Sequence, residues 1–365
     1  MRTFRCDHCG HPLFFENVQC LQCGSALAFL PDRLALCAVE PVPGDTTGLW
    51  RRKVRPSRKA DQIPRKADNR RYRLCINHGQ HQACNFAVRS GDPNGLCASC
   101  RQTRVLPDLS LPANRERWYR IEVAKRRLFY TLAQLRLVSV DTPDGRTDGP
   151  VFEFLAELPG QQVVTGHCQG LITLNIAEAD DDERVRRRVA LHEPYRTLLG
   201  HLRHESGHFY WDRLVQGGGR IDAFRDMFGD ERIDYRTALD NYYGGSAPAN
   251  WQGQYVSAYA TSHPWEDWAE TWAHYLHMVD LLETASSYNT RVVVPGEDAE
   301  EVANPFDSVD TDFAELVEQW VPLTLLLNSL NRSLGQEDAY PFALNPHALD
   351  KLRFVHDAIA AQAGG

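Results

Sequence analysis

The segment His204-Glu205-Ser206-Gly207-His208 combines the residue types and the spacing of a metal-dependent hydrolytic site. Two histidines four residues apart lie on one face of an α-helix, with Cβ atoms about 5–6 Å apart, so both can bind one metal ion. Glu205 then stands where an attacking water needs a base. The pattern predicts His204 and His208 as metal ligands and Glu205 as the general base.

The surrounding sequence predicts the helix that this segment needs. Apolar residues recur with helical spacing from Tyr195 to Val215, and Gly217-Gly218-Gly219 ends the pattern. Gly207, between the two histidines, would let another backbone approach closely. The alternative is an amphipathic core helix with two incidental histidines, in which a buried and unpaired Glu205 would be costly.

A catalytic zinc needs a third protein ligand and one open position. Metzincin peptidases carry a third histidine at the position of Leu214, so that class is excluded. In the next helical segment, Glu266 and Glu270 lie one turn apart on one side, where like charges repel unless a positive group is near. Asp212 cannot reach one ion together with both histidines, and we interpret it as an acceptor beside them or as a salt-bridge partner.

With these two segments the chain resembles the gluzincin metallopeptidases, in which H-E-x-x-H is completed by a glutamate on a later helix. The E-x-x-A-E spacing from Glu266 to Glu270 is similar to that of lethal-factor-type peptidases. The resemblance implies that Glu266 is the third zinc ligand and that Glu270 accepts an N–H from a ligating histidine. It also implies a tyrosine seven residues before the ligand, and Tyr259 occupies that place. Its hydroxyl could donate to an oxyanion, with Tyr255 and His263 as alternative donors.

The first cysteines predict a zinc ribbon. Two C-x-x-C pairs, separated by ten residues and each followed by a glycine, are formed by Cys6, Cys9, Cys20 and Cys23. The glycine permits the tight turn in which backbone N–H groups point at thiolate sulfurs. The pattern resembles a rubredoxin-like zinc ribbon. Iron could occupy the same geometry, but zinc is favoured.

Four further cysteines predict a second structural zinc: Cys75, Cys84, Cys97 and Cys100. The last two again form a C-x-x-C pair, while the first two are spaced irregularly. His78 or His81, which lie between them, could replace Cys75 or Cys84 as a ligand. Cys37 and Cys168 have no partner at a suitable spacing and are predicted to be free, buried thiols.

Composition and charge limit the class of protein. The cysteine motif follows Met1 so closely that we expect no secretory signal, and clustered C-x-x-C pairs favour metal sites in a reducing cytoplasm over disulfides. No apolar run approaches the roughly 20 residues that cross a bilayer. The segment Arg51–Arg73 holds eleven Lys and Arg residues and is either a solvated linker or a contact surface for nucleic acid or an acidic protein. The net charge of −8 argues against general nucleic-acid binding.

We predict an α+β fold in three parts: a zinc ribbon at residues 1–30, a basic linker with the second four-cysteine site at 31–105, and a mostly helical, gluzincin-like metallopeptidase domain with a small sheet at 106–365. The predicted helices cover 114–137, 180–191, 311–334 and 346–362 as well as the two metal-binding segments. Strand-like runs cover 162–165 and 171–176, and the second is our candidate for the edge strand that pairs with a substrate backbone.

Taken as a whole, the chain resembles a bacterial family of zinc-ribbon-containing zinc metallopeptidases. The resemblance includes the stretches 165–167, 195–200 and 228–232. It implies a zinc peptidase with one catalytic and two structural zinc ions, acting on a peptide or protein substrate. The alternative is a binding protein whose ribbons and basic linker hold nucleic acid or another protein, with the peptidase-like domain as a scaffold.

Overall fold

The computed structural model describes residues 1–55, 69–140, 148–190, 197–245, 247–293, 300–307, 311–340 and 344–363. The chain divides into two units: Met1–Arg104 with Lys125–Gly149, and Val105–Ala124 with Pro150–Gly365. The predicted α+β class is confirmed, with a cysteine-rich module ahead of a mostly helical domain. Most of the basic segment Arg51–Arg73 lies outside the described residues, which omit 56–68.

The first unit consists mainly of short strands. Its elements are β1 (Phe4–Arg5), β2 (Pro12–Leu13), β3 (Ala26–Leu30), β4 (Ala35–Pro41), β5 (Trp50–Arg52), β6 (Tyr72–Leu74), helix α1 (Ile76–His81), β7 (Ala87–Arg89) and, at its boundary, β8 (Thr103–Val105). Strands β1 and β2 pair with each other, and β3 to β7 form a five-stranded antiparallel sheet in sequence order. Neighbours in sequence are thus neighbours in the sheet.

An aromatic cluster fills the core of the first unit. Phe29 stacks on Phe86 with ring centroids 4.3 Å apart, and Phe15 contacts both. Helix α2 (Pro112–Gln134) contributes Phe129 and Tyr130 to this cluster from its carboxyl-terminal half. Because each buried aromatic side chain removes about 150–250 Å² from water, the cysteine-rich unit has an apolar core in addition to its cysteine clusters.

The second unit contains a small sheet formed by β9 (Val151–Leu155), β10 (Gly166–Cys168) and β11 (Leu171–Asn175). Strand β11 pairs antiparallel with β10 on one side and parallel with β9 on the other. Our prediction that the 171–176 segment is an edge strand is therefore wrong. Gln169 and Gly170 have positive φ values of 49° and 83° and turn the chain back tightly, which places β10 at the edge instead.

The helices of the second unit follow this sheet. They are α3 (Asp181–Ala190), α4 (Leu198–Tyr210), α5 (Ile221–Phe228), α6 (Tyr235–Gly244), α7 (Pro264–Ser287), α8 (Phe313–Ser333) and α9 (Pro346–Ala363), with the short strand pair β12 (Arg291–Val292) and β13 (Glu300–Glu301) before α8. The predicted helices lie within a few residues of these bounds. The expected start of the metal-binding helix near Tyr195 falls outside the described residues. None of the described helices combines the length and the hydrophobicity that a membrane-spanning segment needs.

Helices α4 and α7 pack directly against each other. The indole N–H of Trp268 donates to the Gly207 carbonyl at 2.8 Å, and that of Trp272 donates to Ser206 Oγ at 3.0 Å. Trp272 also stacks on Tyr210 with centroids 4.9 Å apart. Buried indole N–H groups need acceptors, so these bonds fix how the two helices meet as well as filling the core.

Helix α9 anchors the start of α7 through a buried ion pair. Lys351 Nζ lies 2.6 Å from Asp267 Oδ2, and the two side chains are only 3% and 1% exposed. The same ammonium donates to the Gln254 carbonyl at 3.1 Å. Removing one partner would leave an uncompensated buried charge, so this pair holds the first turn of α7 in place.

Candidate metal centre

Helix α4 presents both histidines of the H-E-x-x-H segment to α7. The Thr197 side chain caps the helix by accepting the Gly200 N–H. The rings of His204 and His208 then lie with centroids 5.0 Å apart. Trp265 packs against the His208 ring at 4.1 Å and restricts its orientation.

Glu266 enters the site from the first turn of α7. His263 caps this helix, because its Nδ1 accepts the Trp265 N–H, and Pro264 occupies the first helical position. Glu266 is 1% exposed, and a carboxylate at the amino-terminal end of a helix is stabilised by the helix dipole. The cap thereby places a buried carboxylate opposite the two histidines of α4.

The three groups converge on one point. Glu266 Oε2 lies 3.0 Å from His204 Nε2, and Glu266 Oε1 lies 3.4 Å from His208 Nε2. Ligand atoms of all three residues fall within 4.8 Å of one another. A tetrahedral zinc with bonds of about 2.0–2.2 Å places its ligand atoms roughly 3.3–3.6 Å apart, so these side chains need only small shifts to hold the ion.

Buried acceptor atoms and the local charge also fit a cation. Glu205 Oε2 is a buried acceptor that makes no hydrogen bond with the described residues, and Glu266 Oε2 is buried beside His204 Nε2. Glu205, Glu266 and Glu270 all line the same cleft. Several carboxylates at close quarters repel one another unless a positive charge lies among them, which a divalent metal ion would supply.

Glu270 orients one of the histidines. Its Oε1 lies 2.7 Å from His204 Nδ1, and its Oε2 accepts the Ser257 hydroxyl at 2.6 Å. A carboxylate bound to Nδ1–H fixes the tautomer in which Nε2 carries a lone pair for a metal. The contact that the resemblance implies for Glu270 is thus present, and Ser257 is its additional support.

The two alternative donors and Asp212 do not line the cleft. The Asp212 side chain is exposed and makes no hydrogen bond with the described residues, but it lies near enough to His208 for their charges to interact. Its role as an acceptor beside the histidines or as a salt-bridge partner stays a prediction. The Nδ1 of His263 accepts the Trp265 N–H at the helix cap, and its Nε2 bonds to the Ile233 carbonyl. Tyr255 packs against the Lys351 ammonium. Neither lines the cleft, whereas Tyr259 does.

The electrostatics of the centre reflect these contacts. Burial alone would lower the pKa of His204, but its hydrogen bonds to Glu266 and Glu270 raise that pKa well above its usual value. Burial would raise the pKa of Glu266, yet the neighbouring His208 and His204 hold it well below the usual range. Burial lowers the pKa of His167 to about 4, so this ring beside His208 is neutral.

The centre lies at the bottom of a cleft of about 580 Å³. Its walls carry mainly apolar and aromatic side chains, among them Val163, Val164, Leu239, Tyr243, Tyr259 and Trp265. The residues 163–167, which lead into and form the edge strand β10, make up one wall, and α6 supplies another.

Two contacts at the centre have no counterpart in our sequence analysis. The Tyr235 hydroxyl donates to Glu266 Oε1 at 2.6 Å, and burial together with Glu266 raises its pKa. The Nε2 atom of His201 lies 3.1 Å from Glu205 Oε1. The position of His201 one turn before Glu205 was a usable signal, whereas nothing in the sequence links Tyr235 to Glu266.

The close approach of the two helices gives a test. A Cβ atom at Gly207 would lie 2.9 Å from the Ala269 Cα, so we expect Gly207→Ala to lower the free energy of unfolding by about 1–3 kcal/mol. Urea unfolding measures this change. Gly253→Ala is the matched control, because a Cβ there meets no atom within 4 Å. Equal stability of the two variants would contradict the close packing at Gly207.

Both sets of cysteines are clustered in the first unit. The first set contains Cys6, Cys9, Cys20 and Cys23, and the second contains Cys75, Cys84, Cys97 and Cys100. Sγ–Sγ distances of 3.8, 3.6 and 3.7 Å join Cys6 to Cys23, Cys9 to Cys20, and Cys84 to Cys97. Four thiolates around zinc with bonds of about 2.3 Å lie roughly 3.8 Å apart, so both clusters fit a tetrahedral site.

The surroundings of the clusters agree with this geometry. Gly10 and Gly24 adopt positive φ values of 82° and 67° after each C-x-x-C pair of the first set. His78 is not part of the second cluster, because its Nδ1 bonds to the Cys84 carbonyl at 2.9 Å. Cys37 is buried as predicted, but Cys168 is exposed, since it ends the edge strand just before the tight turn.

Two imidazoles and a buried carboxylate, with a second glutamate beside them, are a ligand set typical of a zinc site in a zinc-binding protein. Comparison with known protein families identifies the family to which the chain belongs. Residues 114–358 match the family described as "Putative zinc-binding metallo-peptidase", and residues 3–111 match a zinc-ribbon domain. The chain belongs to this zinc-binding metallopeptidase family.

The chain is also similar to uncharacterized proteins of Mycobacterium bovis and of two strains of Mycobacterium tuberculosis. Each is 39% identical over 360 residues, which cover 98% of this chain and 95% of the relative. No solved structure matches the chain. The similarity to these relatives therefore extends over both the cysteine-rich unit and the helical unit.

Proposed function

We propose that the protein is a cytoplasmic zinc peptidase that hydrolyses a peptide or isopeptide bond, with Glu205 as the general base. The observation that carries this proposal is the meeting of His204, His208 and Glu266 at one point of a cleft, beside a glutamate with a buried and unpartnered oxygen. Two further zinc ions in the cysteine clusters have a structural role, because four thiolates leave no open position for a substrate.

In this proposal the residues of the chain have the following roles. His204, His208 and Glu266 would hold a zinc ion, which would supply Lewis acidity at the centre. Glu205 accepts a proton from the attacking water through Oε2 and returns it to the leaving amine. Glu270 keeps His204 in the required tautomer. The Tyr259 hydroxyl donates to the oxygen of the carbonyl under attack.

Tyr259→Phe tests the last of these roles. Tyr259 lines the cleft with its ring 5.9 Å from that of His204, and the proposal places its hydroxyl beside the carbonyl under attack. Loss of one such donor costs on the order of 10²-fold in kcat, and we expect KM and zinc content to stay unchanged. Tyr255→Phe removes a hydroxyl outside the cleft and is the control. Equal kcat values for Tyr259→Phe and the wild type would assign the donor elsewhere.

The edge strand suggests how a substrate lies in the cleft. Strand β10 pairs with β11 on one side, and the residues 163–167 line the cleft beside the centre. An extended polypeptide can add to such an edge through backbone hydrogen bonds. Val164, which is 81% exposed, and the cleft residue Leu239 would contact its side chains. We therefore propose an unfolded or extended segment with apolar side chains as the substrate.

Cleavage of an unfolded protein tests the proposal. We expect zinc-loaded protein incubated with β-casein to produce new amino termini next to apolar residues, identified by mass spectrometry. Protein stripped of zinc and protein with Glu205→Gln should produce none. The same fragments from Glu205→Gln would identify a contaminating protease, and no fragments from any sample would contradict a peptidase that acts on extended apolar segments.

A further inference from the structure

His201 lies between two buried carboxylates. It precedes Glu205 by one turn of α4, and its Nε2 is 3.1 Å from Glu205 Oε1. On its other side, its Nδ1 is 2.6 Å from Glu178 Oε2. The His201 side chain is 12% exposed, and those of Glu178 and Glu205 are 2% and 7% exposed. An imidazole thus links the general base to a second carboxylate that the proposed mechanism does not use.

Glu178 is held by the sheet. It lies in the short 3-10 helix Ile176–Ala179 directly after β11, and its Oε1 accepts the Thr165 hydroxyl at 2.6 Å. That hydroxyl must donate to Glu178, because its oxygen already accepts the Asn175 N–H at 3.0 Å. With both oxygens acting as acceptors, Glu178 requires His201 to donate from Nδ1. The sheet therefore fixes the tautomer and the orientation of the imidazole.

The contact with His201 distinguishes the two oxygens of Glu205. Oε1 is engaged by His201 Nε2, whereas Oε2 is buried and makes no hydrogen bond with the described residues. A glutamate side chain has broad freedom about its last torsion angle, so without such a contact its carboxylate could rotate. With Nδ1 donating to Glu178, a protonated His201 ring also donates from Nε2 to Glu205 Oε1, which leaves Oε2 as the carboxylate oxygen without a hydrogen bond to the described residues.

We propose that His201 is a positioning residue: held by Glu178, it fixes the Glu205 carboxylate so that Oε2 is presented to the attacking water. The inference rests on the proposed function, in which Glu205 is the base. A histidine that only fills the core would not need a carboxylate at each of its ring nitrogens. Here one of the two carboxylates belongs to Glu205, the proposed base. Groups that orient a catalytic residue typically contribute 10–100-fold to activity.

Kinetics of three variants test the proposal, with a fluorogenic peptide that spans a β-casein site cleaved by the wild type. His201→Phe keeps the ring but cannot hydrogen bond, so kcat should fall on the order of 10–100-fold with KM unchanged. His201→Gln can donate to Glu205 and should recover part of this loss. Glu178→Gln should lower kcat in the wild type but have little further effect in His201→Phe, since the two act through one contact.

A matched control separates positioning from folding. His356 lies on α9, outside the cleft, and its ring hydrogen-bonds with the Tyr275 hydroxyl at 2.9 Å. His356→Phe therefore also replaces a hydrogen-bonding ring with one that cannot hydrogen bond. It should keep the wild-type kcat. Thermal unfolding of every variant shows whether its fold is intact. If His201→Phe does not fold, the kinetics of His201→Gln and Glu178→Gln test the proposal instead. An unchanged kcat in folded His201→Phe or Glu178→Gln would overturn the proposal.

Crystal structures of the zinc-loaded wild type and of His201→Phe provide a readout that does not depend on activity. We expect the Glu205 carboxylate to have one orientation in the wild type and to rotate or become disordered in the variant. The same orientation in both would overturn the positioning role. If the wild type does not cleave casein but the carboxylate moves as expected, the peptidase proposal fails and the positioning contact stands.

Discussion

Glu205→Gln is expected to abolish hydrolysis while leaving the zinc content of the protein unchanged. The glutamine side chain has the same shape and can still contact His201, but it cannot accept the proton of the attacking water. General-base catalysis contributes about 10²–10⁴-fold, so kcat should fall by at least that range. Because Glu205 is not among the three residues that converge on the metal position, zinc should remain bound.

Steady-state kinetics on the cleaved casein peptide, combined with elemental analysis of the same sample, measure both halves of this prediction. Glu318→Gln, an exposed substitution on α8, makes the same chemical change outside the cleft and should be fully active. Activity within a few-fold of the wild type in Glu205→Gln would remove Glu205 from the role of base. Loss of zinc would instead indicate that Glu205 helps to bind the metal.

His204→Ala is expected to remove one zinc equivalent and all activity. Its Nε2 lies 3.0 Å from Glu266 Oε2, and its loss would leave two ligands where a catalytic zinc needs three. Glu266 and Glu270 would also lose their shared imidazole partner. Buried charges that lose a partner cost about 3–5 kcal/mol, so the free energy of unfolding should fall as well.

Elemental analysis after dialysis gives the zinc count. We expect three equivalents in the wild type and two in His204→Ala, because both cysteine clusters lie in the other unit. His347→Ala, an exposed histidine on α9, should retain three. Three equivalents in His204→Ala would mean that the third ion binds elsewhere.

The features that the sequence predicted well depend on local spacing. His204 and His208 are one helical turn apart, so any α-helix brings them to one face. The C-x-x-C pairs behave in the same way, because a glycine turn is enough to bring two thiolates together. Glu266 lies far along the chain, and only the resemblance to gluzincins selected it. The structure places its carboxylate within reach of both histidines.

The features that the sequence missed depend on tertiary contacts. Tyr235 reaches Glu266 from α6, and Glu178 reaches His201 from the turn after β11. No periodicity or spacing encodes such pairs. The position of β11 at the centre of its sheet depends on which strands pair with it, and a strand pattern does not specify its partners.

The most direct test is anomalous diffraction at the zinc edge from crystals of the zinc-loaded protein. We expect a zinc ion within about 2.0–2.2 Å of His204 Nε2, His208 Nε2 and a Glu266 oxygen. One further coordination position should be open to solvent, with Glu205 Oε2 facing it. No zinc at this point would contradict the proposed centre. So would a fourth protein ligand, such as the Tyr235 hydroxyl, that closes the open position.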